Sequence, residues 1–139
     1  MLHLPPQTGR LTLGSPYDPY GDGYIHRFDV EITDDGLTAT TTATIGAFDL
    51  VRLDDFLYGL VDDWRGWDGV RCWHSLRREL VVDATHDRVR RVVLDITVQP
   101  GSVDPSWSAR CLFEVEPGAQ LAAIADEVAA WLGPRPSGR

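Results

Sequence analysis

A strict alternation between residues 37 and 45 constrains the fold of this chain more than any other feature of its sequence. Threonines occupy the even positions, and the odd positions hold Leu37, Ala39, Thr41, Ala43 and Ile45. A period of two is that of a half-buried β-strand, and β-branched threonine suits its exposed face. The segment from Tyr24 to Thr33 alternates in the same way, and Asp34-Asp35-Gly36 supplies a turn between the two. The pattern predicts an antiparallel hairpin with one buried face.

The same period predicts further strands. The alternating segments are residues 79–84, 91–98 and 107–115, and a shorter extended piece runs from Arg10 to Leu13. Short connections separate most neighbouring strands, and such connections join antiparallel strands. The chain is therefore expected to form a mostly antiparallel sheet of about five or six strands.

Two other segments have the period of an amphipathic helix. In the first, Asp49 is a suitable N-cap and Gly66 a suitable stop, and the apolar stripe consists of Leu53, Phe56, Leu57, Leu60, Val61 and Trp64. In the second, Pro117-Gly118 opens the helix, Gly133-Pro134 ends it, and the stripe consists of Leu121, Ile124, Ala125, Val128 and Leu132. Each helix therefore has one face to bury.

The order of strands, helix, strands and helix predicts an α+β fold in two layers, a sandwich with both helices on one face of the sheet. Residues 1–139 are expected to form a single domain, with an irregular N-terminal segment over 1–21 and a frayed tail over 134–139. The side chains expected in the core are Phe28, Val30, Phe56, Leu60, Leu94, Ile96, Phe113 and Ile124.

The charge balance restricts the classes of partner. All thirteen basic residues are arginine, and the formal net charge is −8 at pH 7. A nucleic-acid partner is not expected, because binding to phosphates requires basic patches, whereas a basic protein would be attracted. No apolar run reaches the roughly 20 residues that cross a membrane, and the N-terminus lacks the features of a secretory signal, so a cytoplasmic location is expected.

The outer face of the predicted sheet is not uniformly polar. Val81, Val93 and Leu112 interrupt its charged residues and could meet as a small apolar patch. Such a patch is either ordinary surface or a weak self-association site. The chain is therefore expected to be a monomer or a weak homodimer.

Residues suited to catalysis or metal binding are few. Cys111 lies on an apolar strand face and is expected in the core, whereas Cys72 could be either buried or reactive. Cys72-x-His74 with His86 and Cys111 lacks the paired short spacing of structural zinc sites. No nucleophile motif or phosphate-binding loop is present either. No catalytic residue, metal or cofactor is predicted.

The connection after the first helix is the most distinctive segment, with three tryptophans within residues 64–73. Tryptophan and arginine dominate binding hot spots, although large aromatic residues mostly pack in cores. The preceding helix carries aspartates on its predicted solvent face, either as ordinary solvated surface or as a docking surface for a basic partner. In the docking interpretation Trp67 is exposed, and the residues that bind the partner are Asp54, Asp55, Asp62, Asp63, Arg65, Trp67 and Asp68.

Short motifs in this region and after it also carry a family resemblance. They are Asp63-Trp64-Arg65-Gly66-Trp67-Asp68-Gly69, Trp73-His74-Ser75-Leu76, Asp83-Ala84-Thr85-His86-Asp87 and Val115-Glu116-Pro117-Gly118. Through them, residues 24–132 resemble an uncharacterised family of domains of unknown function from GC-rich bacteria, numbered 6228. The resemblance implies no activity, cofactor or catalytic residue. The family is distantly similar to WapI-type immunity proteins, which neutralise toxin domains, and this implies an immunity-type role.

Two functional hypotheses follow. The first is a non-enzymatic protein-interaction domain, for example an immunity-type inhibitor of a basic toxin domain. The alternative is a small-molecule-binding or enzymatic domain with a pocket near residues 64–74, where Arg65, Arg71 and His74 supply polar groups. A flat acidic surface would favour the first hypothesis, and a deep pocket with perturbed titratable groups the second.

Overall fold

Eight β-strands and two α-helices are present in the described part of the chain, which comprises residues 1–4, 10–21, 25–45 and 51–133 of a computed structural model. The strands are β1 (Leu2–Leu4), β2 (Leu11–Tyr17), β3 (Arg27–Asp34), β4 (Leu37–Thr44), β5 (Arg71–His74), β6 (Leu80–His86), β7 (Val92–Val98) and β8 (Ala109–Val115). Helix α1 (Leu53–Asp62) lies between β4 and β5, and helix α2 (Ala119–Leu132) follows β8. This is the predicted order of strands, helix, strands and helix.

The first sheet contains β1, β2, β3 and β4 in that order, and all neighbouring strands are antiparallel. The predicted hairpin of β3 and β4 is confirmed, and its register places Phe28 opposite Ala43, both of them buried. The exposed threonines of β4 are Thr38, Thr40 and Thr42. The alternation in the sequence therefore predicts correctly which face of this hairpin is buried. The expected first residue of the strand, Tyr24, lies outside the described residues.

The second sheet contains β5, β6, β7 and β8 in that order, again with antiparallel neighbours. The last three of these strands agree with the predicted ones to within a few residues. Strand β5 lies within the segment that the sequence predicts to be a tryptophan-rich connection. It is not predicted, because four residues that follow a glycine-rich stretch are too few to show a period. Its Trp73 lies opposite Val82 of β6.

The single sheet of five or six strands is a wrong prediction, since the described strands form two four-stranded antiparallel sheets. Two short strands were missed: β5, and β1 within the N-terminal segment that was expected to be irregular. Helix α1 separates β4 from β5 along the chain, and the strands before and after it form separate sheets. A backbone hydrogen bond still joins them, because the Leu76 N–H donates to the Thr44 carbonyl at 2.8 Å.

The two sheets and the two helices share one hydrophobic cluster. Leu57 of α1 and Val128 of α2 line the same small internal space as Leu94 and Phe113 of the second sheet, so both helices cover the same face of that sheet. Each predicted core side chain is buried except Phe56, which is only partly buried. The reason is that α1 directs Leu53, Leu57 and Leu60 inward, and Phe56 lies at the margin of that stripe.

The apolar patch expected on the outer face of the second sheet does not form. Val81 lies opposite His74 and Thr97, Val93 lies opposite Thr85 and Glu114, and Leu112 lies opposite Asp95. Register therefore places none of the three apolar residues directly opposite another, and Val81 is itself buried. Only Leu112 of the three is largely exposed.

Candidate functional site

Asp54 does not lie on an exposed acidic face. Its side chain is buried, and one carboxylate oxygen accepts a hydrogen bond from the Arg52 guanidinium at 3.0 Å and another from the Asp55 backbone N–H at 3.0 Å. Arg52 also donates to the Gly133 carbonyl at the end of α2. The expected exposure of Asp54 is wrong, because this residue and Arg52 tie the start of α1 to the end of α2.

The other four aspartates of the predicted docking surface are exposed. Arginines distant in sequence neutralise two of them. Arg71 donates to Asp63 at 2.7 Å, and Arg88 forms an ion pair with Asp68. The surface beside α1 is therefore less acidic than the linear sequence suggests.

Trp67 is buried, with 5% of its surface exposed. Its indole N–H donates to the Ala84 carbonyl at 3.2 Å, and its ring forms a T-shaped pair with the His86 ring, with centroids 5.2 Å apart. Trp73 is buried too, and its N–H donates to the Val51 carbonyl at 2.6 Å. The expected exposure of Trp67 is wrong, and the alternative that the tryptophans pack in the core is confirmed for these two.

Trp64 has the opposite environment from the one its place in the helical stripe predicts. Helix α1 ends at Asp62, so Trp64 lies in the following turn, and 50% of its surface is exposed. The Arg65 guanidinium lies over the indole, 5.1 Å from the ring centroid. The exposed aromatic side chain of this connection is therefore Trp64.

Two residues lock the backbone that carries Trp64. The His86 Nδ1 accepts a hydrogen bond from the Arg88 backbone N–H at 2.7 Å, so its Nε2–H donates to the Trp64 carbonyl at 2.8 Å. Gly66 has a φ of +135°, and a Cβ there would lie 3.3 Å from the Arg88 Cγ. A residue with a side chain would therefore be strained at Gly66 by its backbone conformation and would crowd the Arg88 side chain.

The turn between β6 and β7 is held by Asp87. One oxygen of its carboxylate accepts the backbone N–H groups of Val89, Arg90 and Arg91 at 2.8, 2.9 and 3.0 Å. These hydrogen bonds stabilise the ionised form and hold the pKa of Asp87 below its ordinary value. The turn is thus fixed by its own aspartate in addition to the strands on either side.

Between the turn, the loop and the start of α2 lies an open groove of about 370 Å³, here called the Trp64 groove. It is lined by Trp64, Arg65, Val89, Arg90, Glu116, Pro117 and Gly118. Of these, only Arg65 belongs to the predicted binding residues. The others were missed, although the run Arg88-Val89-Arg90-Arg91 directly after the His86-Asp87 motif is a visible signal of a basic turn.

The polar groups proposed for a small-molecule pocket do not meet in this groove. Arg65 lines it, but Arg71 pairs with Asp63 and lies over the Trp67 ring. The His74 Nδ1 lies 2.7 Å from the Ser75 carbonyl. The groove is therefore formed mainly by residues other than those of that hypothesis.

Ser75 and the two cysteines are held in structural or unreactive forms. The Ser75 hydroxyl is buried and donates to the Glu79 carboxylate at 2.6 Å. Both cysteines are free thiols, and desolvation raises the pKa of each, which disfavours the reactive thiolate. Cys72 is exposed and Cys111 is buried, as expected for Cys111. Among the residues that the structure describes, no group of His, Cys, Asp and Glu is placed to hold a metal ion.

Fold and site together define an α+β domain of two antiparallel sheets and two helices, which presents a fixed tryptophan-containing loop beside an open groove. No curated protein and no solved structure matches the chain. The chain belongs to the family of unknown function DUF6228, whose sequence model matches residues 4–135. The resemblance to the family numbered 6228 is thereby confirmed. Within the described ranges, no helix is both long and apolar enough to cross a membrane.

Proposed function

We propose that this chain is a non-enzymatic protein-interaction domain whose partner contacts Trp64 and Arg65. The observation that carries the proposal is the half exposure of Trp64 in a loop that is anchored by the buried Trp67 and by the hydrogen bond from His86 to the Trp64 carbonyl. Tryptophan and arginine are enriched among the residues that dominate binding energy at interfaces. A loop whose backbone is already held in place also loses little conformational freedom when a partner covers it.

The chemistry of the remaining residues supports an interaction role over catalysis. The Ser75 hydroxyl is engaged by Glu79, and both imidazole nitrogens of His86 are occupied by backbone groups. A general base needs a nitrogen or oxygen that can reach the proton it removes, and His86 has none to spare. The cytoplasmic location expected from the sequence is part of this proposal.

A second candidate is the basic partner expected from the sequence, including a toxin domain in the case of an immunity-type role. The formal net charge of −8 and the exposure of Asp55 and Asp62 favour it. Exposed charges of this kind act mainly by steering the encounter of the two proteins. Its surface would be the exposed side of α1, whose aspartates do not line the Trp64 groove.

The test compares the proteins that the immobilised wild-type chain and Trp64→Ala retain from cells of the source organism. A partner that uses Trp64 is expected to bind the variant about thirtyfold more weakly, which corresponds to roughly 2 kcal/mol for a central tryptophan. Trp107→Ala is the matched control, because Trp107 is 40% exposed and lies outside the groove.

Retention of the same proteins by Trp64→Ala and by Trp107→Ala would show that the proposal is wrong. Proteins that are released by moderate salt and by Asp62→Asn, yet bind Trp64→Ala normally, would indicate the second candidate instead.

A further inference from the structure

We infer that the Trp64 groove binds an acidic peptide segment of a partner, one that carries carboxylates next to an apolar side chain. The inference rests on the proposed function and names the chemistry of the partner. It differs from the basic partner expected from the sequence, since the groove and the exposed side of α1 present opposite charges.

The groove carries positive charge that no carboxylate of the described residues neutralises. Arg65 and Arg90 are exposed, and neither forms an ion pair with any residue in the described part of the chain. The arginines just outside the groove are neutralised: Arg71 by Asp63, Arg88 by Asp68 and Arg91 by Glu114. Two guanidinium groups are thus left to receive carboxylates, which they can bind in a bidentate manner.

The carboxylate within the groove is already in use. Glu116 accepts the Ala119 backbone N–H at 3.0 Å, and its own backbone N–H donates to the Gln120 side chain at 2.8 Å. These two bonds form a reciprocal cap at the start of α2. Glu116 is therefore oriented toward the helix, so the groove retains a local excess of positive charge in a chain that is acidic as a whole.

Exposed apolar side chains lie beside these charges. Trp64 is 50% exposed and Val89 is 79% exposed, and both line the groove. His86 and Asp87 fix the backbone on which they stand, so the groove exists before a ligand binds. A preformed groove with apolar walls and two cationic groups suits an extended segment that combines carboxylates with an apolar side chain.

Other occupants fit the observations less well. A nucleic acid also carries anionic groups, but the net charge of −8 would repel a polyanion at long range. A short acidic segment brings little charge beyond the groove and avoids this repulsion.

The experiment selects a random peptide library, displayed on phage, on the immobilised wild-type chain. The recovered pool is then compared on Trp64→Ala and on Trp107→Ala. Peptides that require Trp64 are expected to be enriched in Asp and Glu beside an apolar residue, relative to the unselected library. Neutral or basic Trp64-dependent peptides would overturn the inference and leave the proposed function intact. A pool without any Trp64-dependent peptide would overturn the inference too, and the capture of proteins by Trp64→Ala then decides the proposed function separately.

Titration of the most enriched peptide by calorimetry tests the role of the arginines. Arg90→Gln should weaken binding about tenfold, as the loss of a charge-assisted hydrogen bond does. Arg77→Gln removes the same charge from an exposed arginine at the β5–β6 turn and should change the affinity less than about twofold. Equal effects of the two variants would mean that only the overall charge matters, and would overturn the assignment of the groove.

Discussion

Trp64 and Trp67 lie three residues apart in the same loop and have opposite environments. Trp67 is buried with its N–H on the Ala84 carbonyl, whereas Trp64 is half exposed beneath the Arg65 guanidinium. Burial of a tryptophan removes a large apolar area from water, and its N–H must then find a protein acceptor. Trp67 therefore contributes to stability, and Trp64 is available for binding.

Substitution of each tryptophan by alanine should separate these two roles. We expect Trp67→Ala to lower the free energy of unfolding by about 3–5 kcal/mol, because it leaves a cavity in the core. Trp64→Ala should change it by no more than about 0.5 kcal/mol. Urea denaturation followed by circular dichroism measures both values. If the first variant is too unstable to purify, Trp67→Phe, which loses the hydrogen bond to Ala84, should cost about 1–3 kcal/mol. Similar losses for Trp64→Ala and Trp67→Ala would contradict this division.

At the scale of elements, Asp87 holds the β6–β7 turn in addition to the strands on either side. Its carboxylate accepts three backbone N–H groups, and these bonds lower its pKa. An aspartate with a lowered pKa in the folded state stabilises the protein at pH values above its unfolded pKa. That contribution is lost as the pH falls from the ordinary value of 3.8 through the lower folded value.

The stability difference between the wild-type chain and Asp87→Ala should therefore depend on pH. We expect the difference in unfolding free energy to be constant above about pH 5 and to shrink as the pH falls below 3.8. Denaturation curves recorded from pH 7 to pH 2.5 measure it. Asp104→Ala is the control, because Asp104 is exposed and its carboxylate has no hydrogen bond to a described residue. A difference for Asp87→Ala that stays constant down to the lowest pH would refute the role of the ionised carboxylate.

At the scale of the whole molecule, Glu79 joins the two sheets. It is buried, and its carboxylate accepts the Ser75 hydroxyl at 2.6 Å and the Arg77 backbone N–H at 3.0 Å, both in the β5–β6 turn. Its other oxygen accepts the Thr44 backbone N–H at the end of β4, at 3.2 Å. A buried carboxylate with these partners holds the edge of one sheet against a turn of the other.

Removal of this carboxylate should destabilise both sheets together. We expect Glu79→Ala to cost about 1–3 kcal/mol or more, because three donors lose their acceptor. One cooperative transition should remain if residues 1–139 form a single domain, with the amides of β3 and β7 losing protection from hydrogen exchange to the same extent. Glu127→Ala on the exposed side of α2 is the control and should stay within about 0.5 kcal/mol of the wild type. Two separate transitions, or loss of protection in one sheet only, would contradict the shared core.

Much of the fold could be predicted from periodicity. Local periodicity predicts the β3–β4 hairpin, strands β6, β7 and β8 and both helices, because each of these elements buries one face whatever its partner is. The pairing of strands into two sheets could not be predicted, since β1 and β5 are too short to show a period. Strand β1 is defined by its pairing with β2, and strand β5 by its pairing with β6.

The candidate site shows the same limit more sharply. The sequence by itself determined that a loop rich in tryptophan and arginine follows α1, that the chain is acidic, and that it belongs to DUF6228. Only the tertiary structure decided which tryptophan is exposed and which charges remain available. The physical reason is that burial and ion pairing depend on residues distant in sequence. Ala84 and His86 cover Trp67, Arg71 and Arg88 neutralise two aspartates, and the β6–β7 turn brings Arg90 beside Trp64.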